Sequence, residues 1–571
     1  MRTLGMHRVY NSAFMNMMRD EKNGEYRQLV KNTLEFDPQI LKRYVNFMNN
    51  PDERTAVDQF GKGDKYFGIC TVMATMPGLP MFGHGQIEGY AEKYGMEFRK
   101  AYWDESPDPY LVERHEQQIF PLLHKRKLFA EVANFLLYDF YTTAGNVDEN
   151  VFAYSNREGD RRALALYHNK YAETQGWIRT SAAYAVKDAN GEKQLVQKSL
   201  AEGLGVSSTP DTYLIFRDTI TGLEYIRNCR ALCEQGLYAQ LHAYQVHVFT
   251  DFREVHDNEA KQYEQLNAYL NGRGVPDINE ALQALILAPI HAPLRMLVSA
   301  PAFQWLMDAR LQAPTADVDP QVLAQVKQKM QDLLNAVQAK IEGTGDIETT
   351  AQEINDTLAV ALTLPYLESR YEVPQGLHGL MPAGLKEGDP AAWGILLGWL
   401  FTHALGKLID AVDYSEISRS WMDAWLINKH IVQALRDLGL DEPTTQEALA
   451  TINVLIGYPR WLRAREKETE TGTPEASPTY ALLHTLLEEQ ETLAYLNVNR
   501  YQGTLWFNQE AFEHLMQWLA TLAAIEHLAG TAQETFSIAE TVAHIQQILK
   551  AEAISEYQVE KLLKAASQIE D

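Results

Sequence analysis

Three short stretches hold the residue types from which a reaction or binding site can be built. In "FMNNPDER" (47–54), Asn50, Asp52 and Arg54 fall on alternate positions just after an apolar run. A fixed carboxylate such as Asp52 is worth most where positive charge develops on a bound molecule, and a nearby arginine such as Arg54 would hold it ionised. A second reading of Asp52 stays open: aspartate is a common helix N-cap, and Glu53 suits the first turn that would follow. In "GHGQIEG" (83–89), His84, Gln86 and Glu88 alternate with Gly83, Gly85 and Gly89. Such a loop supplies polar groups for ligand hydroxyls, and its glycines let the backbone come close. In "KAYWDESPDPY" (100–110), Tyr102 and Trp103 offer faces for stacking on a ligand or, equally, for packing at a helix start. The histidines His7, His115, His124, His168, His242, His247 and His256 show no metal-ligand spacing, so neither a metal nor a cofactor is implied. Cys70, Cys229 and Cys233 form no CxxC pair, which fits a reducing compartment.

These stretches need elements to position them. Residues 1–128 alternate short β-like runs with helical ones: "HRVYNSAFM", "GEYRQLVKNTLEF", "LKRYVNFMN", "DKYFGICTVMATM", "GLPMFGHG" and "PYLVERHEQQIFPLLHKR". That order is βαβαβα and predicts a parallel sheet with helices outside it. In "DKYFGICTVMATM", Phe67, Cys70, Met73 and Met76 recur every third residue as a core face. Asp52 and the "GHGQIEG" segment then leave the carboxyl ends of neighbouring strands, where barrel chemistry is placed.

From about 129 to 255 the pattern turns to short strands between turn signals, with Asn190-Gly191 and Glu158-Gly159-Asp160 as hairpin marks. The expectation is an antiparallel β-sandwich-like domain. Beyond 256 helical stripes dominate. In 319–343, Asp319 and Pro320 sign the start of a helix and Gly343 its end, with Val326, Met330, Leu333 and Val337 on one apolar face. The aromatic-rich "VNRYQGTLWFNQEAFEHLMQWL" (498–519) reads as core or as a docking surface, and the polar 465–478 as an exposed loop. The fold class is therefore multidomain α+β.

Composition excludes several classes. The 571 residues include 76 acidic against 51 basic ones, a net charge of −25 that repels nucleic acid. The most membrane-like run, 391–406, is shorter than a span and is interrupted by His403. It reads as a buried helix, so no membrane partner is expected. No secretory start is present in "MRTLGMHRVYNS", and a cytoplasmic location is expected.

The segment 43–96, "RYVNFMNNPDERTAVDQFGKGDKYFGICTVMATMPGLPMFGHGQIEGYAEKYGM", resembles the α-amylase superfamily of glycoside hydrolases between its seventh barrel strand and the loop after its eighth. There, a strand ending in Phe-x-x-Asn-His-Asp is followed by a helix, Leu-Pro-Gly-x-Pro and Tyr-Gly-Gln-Glu. Asn50 and Asp52 fall on the first motif; Met76-Pro77-Gly78-Leu79-Pro80 and Gly85-Gln86 fall on the second. The resemblance implies that 1–128 is the last three βα units of a (β/α)8 TIM barrel, 129–255 its trailing β-sandwich-like domain, and 256–571 a helical domain without a counterpart. It implies α-glucan or oligosaccharide as the ligand and a retaining reaction. Asp52 would then stabilise the oxocarbenium-like transition state, with Asn50, Arg54, His84, Gln86 and Glu88 around the sugar. Pro51 replaces the family's sugar-contacting histidine. The family's nucleophile and acid lie on earlier strands, so the expectation is the C-terminal portion of a glycoside hydrolase or transglycosylase, inactive as this chain alone. A partner chain supplying the missing strands is the other way to complete it. The alternative function is a non-catalytic carbohydrate-binding or scaffolding protein.

Overall fold

The computed structural model describes residues 6–93, 100–187, 192–409, 413–459, 478–531 and 537–568. The chain forms two compact units, Met1–Leu285 and Ile286–Asp571.

The first unit opens with a three-stranded parallel sheet, β1 (Val9–Tyr10), β2 (Tyr44–Phe47) and β3 (Leu79–Met81), in sequence order. Helices α1 (Ser12–Arg19) and α2 (Asn23–Phe36) connect β1 to β2; α3 (Ala56–Phe60) and α4 (Asp64–Thr75) connect β2 to β3. "HRVYNSAFM", expected as a strand, pairs only through Val9–Tyr10 and then turns helical. Asn11 ends the strand because its side chain accepts a hydrogen bond from the Phe14 N–H (3.2 Å) as an N-cap. Phe14, Met15 and Met18 then bury one face of α1.

After β3 the chain runs through α5 (Pro109–Arg114), a π-helical turn (His115–Ile119) and α6 (Phe120–His124), close to the single helix expected over 109–126. The π turn adds a residue to the register. It begins at fully buried His115. Helix α7 (Arg126–Ala130) follows.

Eight strands between 136 and 256 join in one antiparallel sheet. In chain order they are β4 (Leu136–Thr142), β5 (Val151–Glu158), β6 (Arg161–His168), β7 (Thr174–Ser181), Thr212–Asp218, Glu224–Asn228, Leu237–Leu241 and Val246–His256. The Gly159 turn (φ +59°) closes the β5–β6 hairpin with Glu158 opposite Arg161. The Asn190-Gly191 tip lies outside the described residues, but its flanks, Tyr184–Lys187 and Lys193–Val196, pair antiparallel as expected. In this β-sandwich-like region the hydrogen-bond ladder is continuous through all eight strands. Strand Leu237–Leu241 at one edge and Thr212–Asp218 near the other nonetheless share one apolar cluster, including Leu237, Leu241, Leu214 and Phe216. The sheet is therefore curled around that cluster, which does the work of a second sheet.

Its other face seats the parallel layer. Phe152, Tyr154, Ala163, Ala165 and Tyr167 alternate along β5 and β6 with the inner cluster's Val151, Ala153, Leu164 and Leu166. They pack with Tyr26, Val30, Phe67 and Met73 of α2 and α4. Gly68 is needed there, since a Cβ would stand 2.6 Å from Tyr167 Cδ2. Buried Arg27 of α2 crosses the interface, donating to the carbonyls of Val151 (2.6 Å) and Tyr138 (3.1 Å) and to Asp139 (2.5 Å).

Among the described residues the second unit is helical apart from the short hairpin of Asn499–Tyr501 with Thr504–Trp506. The helix expected over 319–343 spans Pro320–Ile341, capped by Asp319; Glu342 (φ 52°) rather than Gly343 takes the left-handed terminal position. The run 391–406 falls on helix Pro390–Thr402, whose Trp393, Leu396, Trp399 and Leu400 are fully buried. In 498–519, Phe512, Leu515, Met516 and Trp518 are core, while Tyr501 is exposed. The polar segment 465–477 lies outside the described residues. No single helix among the described residues is long and apolar enough to cross a membrane.

Candidate functional site

Because β2 and β3 are parallel, the loops that leave them emerge at the same edge of the sheet. The opposite, amino-terminal edge, where α4 runs into β3, is held by two side chains, buried Asn46 and half-buried Arg126. Asn46 of β2 accepts from Asn11 (2.9 Å) and donates to the Pro77 carbonyl (3.2 Å). Arg126 donates to the carbonyls of Ala74 and Met76 (2.8 Å each) and of Gly78, closing the C-terminal end of α4. Burial pushes its guanidinium down to about 10, so it stays a cation at neutral pH. Gly78 (φ +103°) is the one residue type that fits between these groups, since a Cβ would fall 2.9 Å from the Leu41 carbonyl oxygen. The "MPGLP" motif is thus the segment on which β3 is registered against β2.

The loop after β2 is shaped from inside by Gln59, which donates to the carbonyls of Met48 (3.1 Å) and Arg54 (2.8 Å). Asn50 is buried, and its Oδ1 accepts both the Asp52 and the Glu53 N–H groups (3.0 Å each). It makes an Asx turn that lifts Asp52 onto the rim, where the residue is exposed. The N-cap reading of Asp52 is overturned: α3 is capped by Thr55, which accepts from the Asp58 N–H. Arg54 does not brace Asp52 either; its ion pair is with Asp58 one helical turn on, 3.4 Å away and exposed on both sides.

The loop after β3 folds around Gln86. Its Oε1 accepts from the Gly83 N–H (3.1 Å), its Nε2 faces Met48 and Cys70 sulfurs, and its carbonyl accepts from Tyr66 Oη (2.7 Å). His115 lies below, donating through Nδ1 to the Leu111 carbonyl (2.8 Å) with Nε2 3.2 Å from Tyr66 Oη. Burial lowers the His115 imidazole and raises the Tyr66 hydroxyl and Cys70 thiol, so this cluster is neutral. Gln86 is therefore an internal strut rather than a presented group. His84 is exposed beside Tyr90, with ring centroids 6.1 Å apart, and Glu88 is half-buried.

The two loops touch. A Cβ on Gly83 would stand 2.5 Å from Asn49 Nδ2, so only glycine allows this approach. Lys93 reaches across to donate to the Asp52 carbonyl (2.9 Å). Asn49 is buried, and its Oδ1 has no hydrogen-bond partner among the described residues, which leaves an acceptor at the seam between the loops.

The rim continues through a reciprocal clamp. The Glu92 carboxylate accepts the Tyr102 and Trp103 N–H groups (2.8 and 2.9 Å), and Glu105 accepts those of Ala91 and Glu92 (2.7 and 3.0 Å). Tyr102 and Trp103 do not pack at a helix start: they are 68% and 59% exposed. Asn49, Gln59, Lys93 and Arg126 were missed as site-builders, because their partners are distant in sequence and nothing local marks them.

Among the described residues no cluster of histidine, cysteine or acidic side chains has the arrangement to hold a metal ion. In the second unit a groove of about 700 Å³ runs beside Glu368, His378, Lys386 and Gln517.

No protein-family model matches the chain, and no curated protein does. Solved structures similar to part of it include an α-amylase from Geobacillus thermoleovorans complexed with acarbose, at 13% identity over 36% of this chain and 38% of that one, with a TM-score of 0.23. A noncanonic maltogenic α-amylase, AmyB from Thermotoga neapolitana, is similar at 12% identity over 43% and 50%, with a TM-score of 0.27. The cyclomaltodextrin glucanotransferase CldA follows at 16% identity over 40% and 43%, with a TM-score of 0.23. The chain spans half or less of the length of these structures. At such scores the likeness is to a portion of a fold and carries no functional argument.

Proposed function

We propose that this chain is the C-terminal portion of an α-amylase-like glycoside hydrolase or transglycosylase that acts on α-glucans. The observation that carries the reading is the joining of two motif loops at the carboxyl edge of a parallel sheet, Gly83 against Asn49 and Lys93 on the Asp52 carbonyl. Among the described residues the hydrogen bonds of Asp52 are made by its backbone, and its carboxylate stands exposed on the rim. In this reading it stabilises positive charge on the sugar ring. Asn50 sets the turn that presents it, His84 and Glu88 stand on the neighbouring loop, and Gln86 supports that loop from within. Arg54, tied to Asp58, contributes charge at the margin. The nucleophile and the acid come from strands outside this three-stranded sheet, so the chain by itself binds sugar and does not cleave it. The test is calorimetric titration of the chain with maltoheptaose and, separately, with cellohexaose. Binding of the α-linked chain alone is expected; equal binding of both, or of neither, overturns the reading.

A further inference from the structure

We infer that Trp103 and Tyr102 form a stacking subsite for a neutral glucan chain, distal to the sugar bound at Asp52; the inference rests on the sugar reading above. Large aromatic side chains left this exposed are worth explaining when their backbone is fixed. Here it is fixed twice. Glu92 takes the N–H groups of both aromatic residues, and Glu105 takes those of Ala91 and Glu92, so segments 91–92 and 102–105 brace one another. The clamp fixes the backbone of the two aromatic residues before any ligand arrives, which lowers the ordering cost of binding.

Position and charge select the occupant. Lys93, next in the chain after Glu92, donates to the Asp52 carbonyl, which places the clamp on the same rim as the proposed catalytic carboxylate. The Glu88 carbonyl accepts the Asp108 N–H (2.8 Å), drawing the segment beyond Trp103 back onto the loop after β3. The carboxylates of Glu92, Asp104 and Glu105 outnumber the ammonium groups of Lys93 and Lys100 in the same segments, which disfavours phosphate or sulfate groups. Both clamp carboxylates are already filled by backbone donors, so hydroxyl recognition falls to the aromatic faces. A polyhydroxylated, uncharged ring presents C–H groups to such a face and suits both features.

The experiment titrates the chain, Trp103→Ala, Tyr102→Ala and Gly83→Ala with maltose, maltoheptaose and tetramethylammonium chloride. Trp103→Ala is expected to weaken maltoheptaose about tenfold while leaving maltose within twofold, because only the longer ligand reaches the subsite; Tyr102→Ala follows in the same sense. Circular dichroism identical to the parent separates this from misfolding, since both side chains are exposed. Unchanged maltoheptaose affinity in Trp103→Ala and Tyr102→Ala, together with its loss in Gly83→Ala, overturns the subsite and leaves the sugar reading standing. Trp103-dependent binding of tetramethylammonium without maltoheptaose overturns the neutral-ligand assignment. Absence of any glucan binding by the parent chain overturns both.

Discussion

Replacing Glu21 by glutamine separates charge from shape at the joint between the parallel layer and the curled sheet. Glu21 follows α1, and its carboxylate accepts from Lys65 of α4 (2.9 Å), from Lys170 (3.0 Å) and from Tyr244 Oη (2.7 Å). Partial burial alone would raise its titration point; the hydrogen bonds from Tyr244, Lys65 and Lys170 more than offset this and lower it to about 2 from 4.5. A carboxylate lowered in the folded state contributes stability that is fully present above about pH 4.5 and is lost as pH falls towards 2. The fall of ~2.5 units corresponds to ~3.4 kcal/mol before screening. Glu21 is 18% exposed and Lys170 is nearly half exposed, so about 1–2 kcal/mol is the expected net value. Glutamine fills the same space and still accepts hydrogen bonds. Urea unfolding of Glu21→Gln should therefore show a loss of about 1–2 kcal/mol in the first unit's transition at pH 7, shrinking to roughly half near pH 3 and towards zero only near pH 2. A deficit that stays constant between pH 7 and pH 3 would refute the electrostatic account.

Two further substitutions probe how the site is carried. Arg126→Met removes three hydrogen bonds to the carbonyls of Ala74, Met76 and Gly78 and should cost about 3 kcal/mol by thermal denaturation, with Arg126→Lys recovering only part because one ammonium cannot span all three. Gly68→Ala gains helix propensity but drives a methyl group into the Tyr167 ring, and a net loss of about 1–3 kcal/mol is expected in the same assay; a stabilised variant would show that α4 does not lie this close to β6.

Much of this architecture is legible from periodicity. The helices α2 and α4 and the turn at Gly159 are local signals, and the structure has them where the sequence places them, although α4 is buried on every side from Tyr66 to Thr75 rather than on the one face of Phe67, Cys70 and Met73. α1 was hidden because "HRVYNSAFM" is too short to distinguish a strand from a strand ending in a cap, and Asn11 is the residue that decides. The curl of the eight-stranded sheet was not legible, since it depends on Leu237 and Leu214 meeting across positions distant in sequence. At the site, the types and loop positions of Asp52, His84 and Glu88 could be read. Their support could not: Gly83 against Asn49 is a contact defined by a missing side chain, and the Glu92 and Glu105 clamps join residues whose partnership no spacing rule announces.

The role proposed for Asp52 is tested most directly by the steady-state rate on maltodextrins, before and after Asp52→Asn, in a protein that also carries strands supplying the two carboxylates the proposal requires. The account predicts a kcat lower by about a hundredfold or more, with KM changed only a few-fold, as expected for a group that acts on the transition state. A kcat equal to that of the unsubstituted protein would contradict it.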